Sequence, residues 1–102
     1  MDKYIKNGKV AILISPGYGS SWSFYEDPAL AYDKRIVEYF LTKPTEEEMQ
    51  KYLEEIGYEN VWMGGYKQLK IVWVPQGSKY RIVEYDGSES LQTPDDLDWE
   101  TA

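Results

Sequence analysis

The residues best suited to hold a ligand fall in two short stretches. The first, "SPGYGSSWSFYEDP" at positions 15 to 28, follows directly on the aliphatic run 10–14. A loop with glycines can turn successive backbone N–H groups toward one anion, and a helix N-terminus behind it adds partial positive charge. Gly17, Gly19 and Ser20 are the candidates for phosphate, and Tyr18 and Trp22 the rings that would stack on or enclose a base. The second stretch, "YRIVEYDGSES" at 80 to 90, supplies Arg81 as counter-charge and Asp86 and Glu89 as acceptors for ribose hydroxyls, with Tyr85 as a further ring. Together they make a nucleotide-like inventory.

Each feature also has a plainer explanation. GYG is not GxGxxG, no Gly-Lys-Ser/Thr follows, and Asp27 at the expected helix start opposes an anion. The glycines suit a strand-to-helix connection equally well. Asp86-Gly87-Ser88 is an ordinary turn signal, and Gly64-Gly65 suits a sheet irregularity. Lys34 and Arg35 could form a basic rim or pair with Glu38 and Asp33.

Catalysis finds less material. The chain has no histidine and no cysteine, which removes the commonest general base and the thiolate nucleophile, and Ser20 and Ser21 have no candidate base. Glu84, Asp86 and Glu89 do not follow the calcium-loop pattern, so no metal is expected. Glu84 and Glu89 could hydrolyse as a carboxylate pair only if the fold brings them together. A non-enzymatic protein without a cofactor is the expectation.

The elements that must position these residues read as one domain over residues 1–90 followed by an acidic tail, 91–102. The 102 residues carry a net charge of −7. Residues 1 to 83 hold 11 acids and 11 bases, whereas residues 84 to 102 hold seven acids and no base. That tail is a solvated end or a strip facing a partner. No apolar run approaches a membrane span or a secretory signal, so a cytosolic protein without a membrane partner is expected. No direct nucleic-acid partner is expected either.

Residues 9–15 form an apolar strand without alternation, which predicts cover on both faces. Asp27-Pro28 starts a first helix that carries Leu30, Ile36, Val37, Phe40 and Leu41 on its stripe to about Thr42. Thr45 and Glu48 have capping-box spacing, and Met49, Tyr52, Leu53 and Ile56 give the second helix its buried face. Strands are expected at 61–63, 69–74 and 79–85, the last two joined by a turn at Pro75-Gln76-Gly77, with one helical turn near Pro94 anchored by Leu97 and Trp99. The order β-α-α-β-β-β predicts an α+β fold, a small and mainly antiparallel sheet with both helices on one face. Open edges on so small a sheet favour a homo-oligomer.

The stretches "VAILISPGYGSSW", "AYDKRIVEYF" and "GYENVWMGGYKQLKIVWVPQGSKYRIVEYDGSES" resemble small proteins encoded by bacteriophages and prophages, over residues 9 to 90. The resemblance implies a viral accessory protein in the bacterial cytosol. Such proteins often counter host defence by binding a defence protein or by sequestering a nucleotide second messenger. The expected function is accordingly a non-enzymatic sponge for a cyclic nucleotide or a cyclic ADP-ribose-type signal. Two alternatives stand beside it: a protein–protein inhibitor acting through the acidic tail and exposed rings, and a hydrolase of the same signal using Glu84 and Glu89.

Overall fold

The computed structural model describes residues 2–17, 21–24 and 26–93. The expected helical turn near Pro94, with Leu97 and Trp99, lies outside the described residues, as do Tyr18, Gly19 and Ser20.

The chain is an α+β protein, with two α-helices and five strands among the described residues. Strands β1 (Ile5–Lys6), β2 (Lys9–Ile14) and β3 (Lys70–Pro75) form one antiparallel sheet in the order β1-β2-β3, and β4 (Arg81–Tyr85) pairs with β5 (Ser88–Gln92) in a separate hairpin. Strand β2 is central and covered on both faces, as its unbroken apolar run requires. Ala11 and Leu13 face a cluster with Trp22, Leu30, Ile36, Val37, Met49 and Leu53. Val10, Ile12 and Ile14 face Ala31 and Val74, with Tyr32, Tyr80, Ile82 and Leu91 packed against them. Three layers result: helices, sheet, hairpin.

Helix α1 (Lys34–Phe40) is shorter than its stripe suggests. Asp27 caps a separate 3-10 helix, Pro28–Ala31, and Asp33 then accepts from the Arg35 backbone N–H to start α1. Two aspartate caps in succession thus break one expected helix into two pieces. Leu41, placed on the buried stripe by sequence, is exposed. Helix α2 (Glu46–Glu55) opens with the complete Thr45–Glu48 capping box and buries Met49 and Leu53. Both helices pack on the same sheet face.

Two strand expectations need correction. Residues 61–63 are not a strand; Val61 and Met63 reach the core from irregular backbone that leads into a 3-10 helix, Tyr66–Gln68. The Pro75 turn closes, with Ser78 N–H donating to the Pro75 carbonyl, but β3 does not pair with β4. Its partner is β2, six residues in register from Lys9↔Pro75 to Ile14↔Lys70, and β4 pairs instead with β5 through Asp86-Gly87. Both turn residues have positive φ, 53° and 83°, the two-residue geometry that matches strand twist. Asn7-Gly8 makes the same kind of turn, φ 52° and 76°, and creates β1. The folded body therefore runs past residue 90, because Leu91 packs against the second core cluster.

Candidate functional site

Glu89 is the structural surprise. It lies in β5 with 1% exposure, and its carboxylate accepts three backbone N–H groups: Ser15 at 2.8 Å, Ser23 at 3.1 Å and Phe24 at 3.0 Å. Its own N–H donates to the Ser15 carbonyl at 2.8 Å. Where β2 ends, Glu89 thus satisfies both backbone groups of Ser15 and then gathers the far side of the glycine loop. Amide donors do converge on an anion here, and the anion belongs to the protein. A ribose role for Glu89 is corrected accordingly, since burial and three donors occupy its carboxylate.

The other expected residues that are described scatter. Trp22 is fully buried, its indole N–H donating to the Leu30 carbonyl at 2.9 Å and its ring tilted against Tyr66, so no ring face is left for a base. Gly17 sits against the Gln68 side chain, which occupies the space a Cβ would need. Its neighbour Pro16 accepts from the Ser88 hydroxyl, which ties the loop to the turn end of the hairpin. Arg81 is at the other end, opposite Gln92, and its Nε and Nη2 donate to the Gln92 Oε1 at 3.1 and 2.9 Å. About 13 Å of strand separates Arg81 from Tyr85, so Arg81 stands away from the turn end of the hairpin that holds Pro16. Asp86 is an exposed turn residue.

Glu84 and Glu89 are directly opposite in the β4–β5 register, the proximity a carboxylate pair needs. Glu89, however, is held as above, and Glu84 accepts from the Gly87 N–H at 3.3 Å. Asp33, the other buried carboxylate among the described residues, is equally engaged. It accepts from Arg35 Nε and Nη2 at 3.2 and 2.8 Å and from the Tyr58 hydroxyl at 2.9 Å. Burial raises the Asp33 carboxyl, but these bonds outweigh it and hold the group below the ordinary carboxylate value. Arg35 and Lys34 take the plainer role, partnering Asp33 and Glu38.

A different cluster has the chemistry the loop lacks. The Asn7-Gly8 turn sets Lys6 directly opposite Lys9, and the β2–β3 register puts Trp73 one position along on the same face, opposite Ala11. Lys6, Asn7, Lys9 and Trp73 line a cleft of about 300 Å³ without a carboxylate among them. Trp73 is 37% exposed, its ring held at 52° to that of Tyr4, with centroids 6.2 Å apart. Like charges directly opposite on a sheet repel, and an anion between the two ammonium groups relieves that repulsion. A second cleft, about 220 Å³, is lined by Phe24, Tyr32, Tyr80 and their neighbours. Burial, and then the nearby Tyr32, raise the Tyr80 hydroxyl above its ordinary value.

Sequence reasoning missed the lysine–tryptophan cleft because it left residues 1–8 outside the sheet. Asn-Gly between two strand-forming pairs was the available signal. Comparison with family models, curated proteins and solved structures finds no match to this chain.

Proposed function

We propose that this chain is a non-enzymatic binding protein that captures a nucleotide-derived signal in the cleft formed by Lys6, Asn7, Lys9 and Trp73. The observation that carries the proposal is the cross-strand lysine pair beside a half-exposed indole. The lysines suit a phosphate and Trp73 suits the base. Two charge-assisted contacts at about 1.5–3 kcal/mol each and a stacked ring at about 1–3 kcal/mol total roughly 4–9 kcal/mol, which reaches a micromolar Kd. Among the described residues the buried carboxylates, Asp33 and Glu89, are committed to structural hydrogen bonds, which favours holding over turnover. The setting is the one the sequence resemblance implies: a phage accessory protein that withdraws a cyclic nucleotide or a cyclic ADP-ribose-type signal from host defence in the bacterial cytosol.

The test is retention. Purified protein is brought to equilibrium dialysis against cyclic nucleotides and cyclic ADP-ribose isomers, and the compound held in excess on the protein side is recovered by heating and identified. Recovery of intact ligand, with affinity reduced at least tenfold in Lys9→Gln and Trp73→Ala but unchanged in Arg81→Ala, is the expected result. Loss in Arg81→Ala alone would return the site to the hairpin, and a converted product would make the protein a hydrolase.

A protein–protein inhibitor is the second reading, favoured by the exposure of Trp62 (59%) and Tyr85 (81%). It predicts no retained nucleotide and loss of inhibition in Trp62→Ala or Tyr85→Ala.

A further inference from the structure

Strand β3 has one edge in use and one open. Ladder hydrogen bonding shows which residues face the open side. Gln76 N–H donates to the Gly8 carbonyl, a directly opposite pair in the β2–β3 register. Backbone groups alternate in direction along a strand, so Val74, Val72 and Lys70 also point at β2, while Ile71, Trp73 and Pro75 point away from it. The β1–β2 ladder agrees independently, because Ala11 N–H donates to Tyr4 and the odd residues of β2 therefore turn toward β1, leaving its even residues for β3. Among the described residues, β3 pairs only with β2. The N–H and C=O groups of Ile71 and Trp73 thus form a short edge ready to pair.

We infer that a second copy of this chain pairs with this edge, β3 against β3 in antiparallel orientation, joining two three-stranded sheets into one of six strands. A two-fold axis perpendicular to the sheet keeps each residue on its own face, so opposite positions must both be odd or both be even. Centring on Val72 sets Ile71 against the partner's Trp73, whose outward N–H and C=O groups exchange hydrogen bonds, and sets Lys70 against the partner's Val74. No lysine then meets a lysine. Centring on Trp73 instead places Ile71 against the partner's Pro75, which has no N–H to give. The Val72-centred register is the one this edge favours. Lys70 and Pro75 bound it at either end, and the interface consumes the same edge on both copies, so assembly closes at two. Pairing uses the edge of β3 and leaves the face where Trp73 meets Lys9 open; the inference stands whether or not that cleft takes a nucleotide.

Because the chain contains no cysteine, single substitutions report the register directly. Val72 would face its own copy in a pair that is not hydrogen-bonded, with Cα atoms about 4.5 Å apart, within disulfide reach. Lys70 is exposed, yet its two copies would lie roughly 13 Å apart along the strands. Under mild oxidation, Val72→Cys should convert to a covalent dimer, and Lys70→Cys should remain monomeric on non-reducing gels. The unsubstituted protein should show twice the chain mass by light scattering, and Ile71→Pro, which removes only an outward N–H, should halve it while keeping the helical circular dichroism. A single-chain mass at about 100 µM, or equal cross-linking at both cysteines, would overturn the inference.

Discussion

Replacing Glu89 with alanine isolates the contact that joins the hairpin to the rest of the fold. The carboxylate is 1% exposed and accepts from Ser15, Ser23 and Phe24, of which Ser15 and Ser23 are buried and Phe24 is partly exposed. In Glu89→Ala the two buried N–H groups lose their acceptor and have no route to water. An unsatisfied buried donor costs about 1–3 kcal/mol, and more where the lost partner was charged, so the expected destabilisation is roughly 3–5 kcal/mol. That is a large share of the ~5–15 kcal/mol that holds a domain of this kind together. With about 4–8 °C of melting temperature per kcal/mol at this size, the midpoint should fall by at least ~12 °C. In urea, where the slope is about 1–3 kcal/mol/M, it should fall by at least ~1 M. Glu89→Gln retains one acceptor oxygen but turns an NH2 group toward N–H donors, and should lie between wild type and alanine. The assay is urea unfolding followed by circular dichroism, with hydrogen exchange at the Ser23 amide, which should lose protection first. A loss below about 1 kcal/mol in Glu89→Ala, with exchange at Ser23 unchanged, would refute the assignment of Glu89 as the latch.

Further outcomes follow from other sites. The Tyr58 hydroxyl is pushed up to about 12, by burial first and then by its hydrogen bond to Asp33. Its protonated form is favoured in the fold, so its contribution is complete below the ordinary value of 10.0 and is lost as pH rises from there toward 12. Tyr58→Phe should cost about 1.5–3 kcal/mol at neutral pH and flatten the stability profile across that alkaline window, read by denaturation at successive pH values. Asp33 works in the opposite direction: its lowered value makes its contribution present above 3.8 and lost as pH falls through the folded value, a loss Asp33→Asn should remove from the acid limb. Gly65→Ala places a Cβ 2.5 Å from the Ser21 carbonyl oxygen, a backbone atom, and should destabilise by about 1–3 kcal/mol in the same unfolding assay. Ser15 Oγ is buried without a hydrogen-bond partner among the described residues, so Ser15→Ala should leave the unfolding midpoint unchanged or raise it by up to about 1 kcal/mol equivalent.

Local chemistry made much of the fold legible. The unbroken Val10–Ile14 run required two covered faces, the Thr45–Glu48 pair required a capped helix, and both are present because each depends on residues a few positions apart. The first helix was misjudged where two local rules competed: apolar spacing ran through positions 30 to 41, but the Asp33 cap interrupted it. The candidate site was less accessible to sequence. Trp22 carries the same ring whether it stacks on a base or fills a core, and its burial is decided by Leu30, Tyr66 and the helices above it.

The sequence by itself determined the class of fold, the bounds of the second helix to within a few residues, and the supply of amides, rings and charges from which a binding site could be made. Tertiary structure alone decided how those were spent. Strand pairing assigned β3 to β2 across at least 56 residues, closed β4 on β5 and set Lys6, Lys9 and Trp73 on one face. Packing of the hairpin against that sheet delivered the Glu89 carboxylate to the glycine loop from 74 residues away. Such contacts depend on register, and register follows from which faces can be buried together, a property of the whole chain that no short stretch contains.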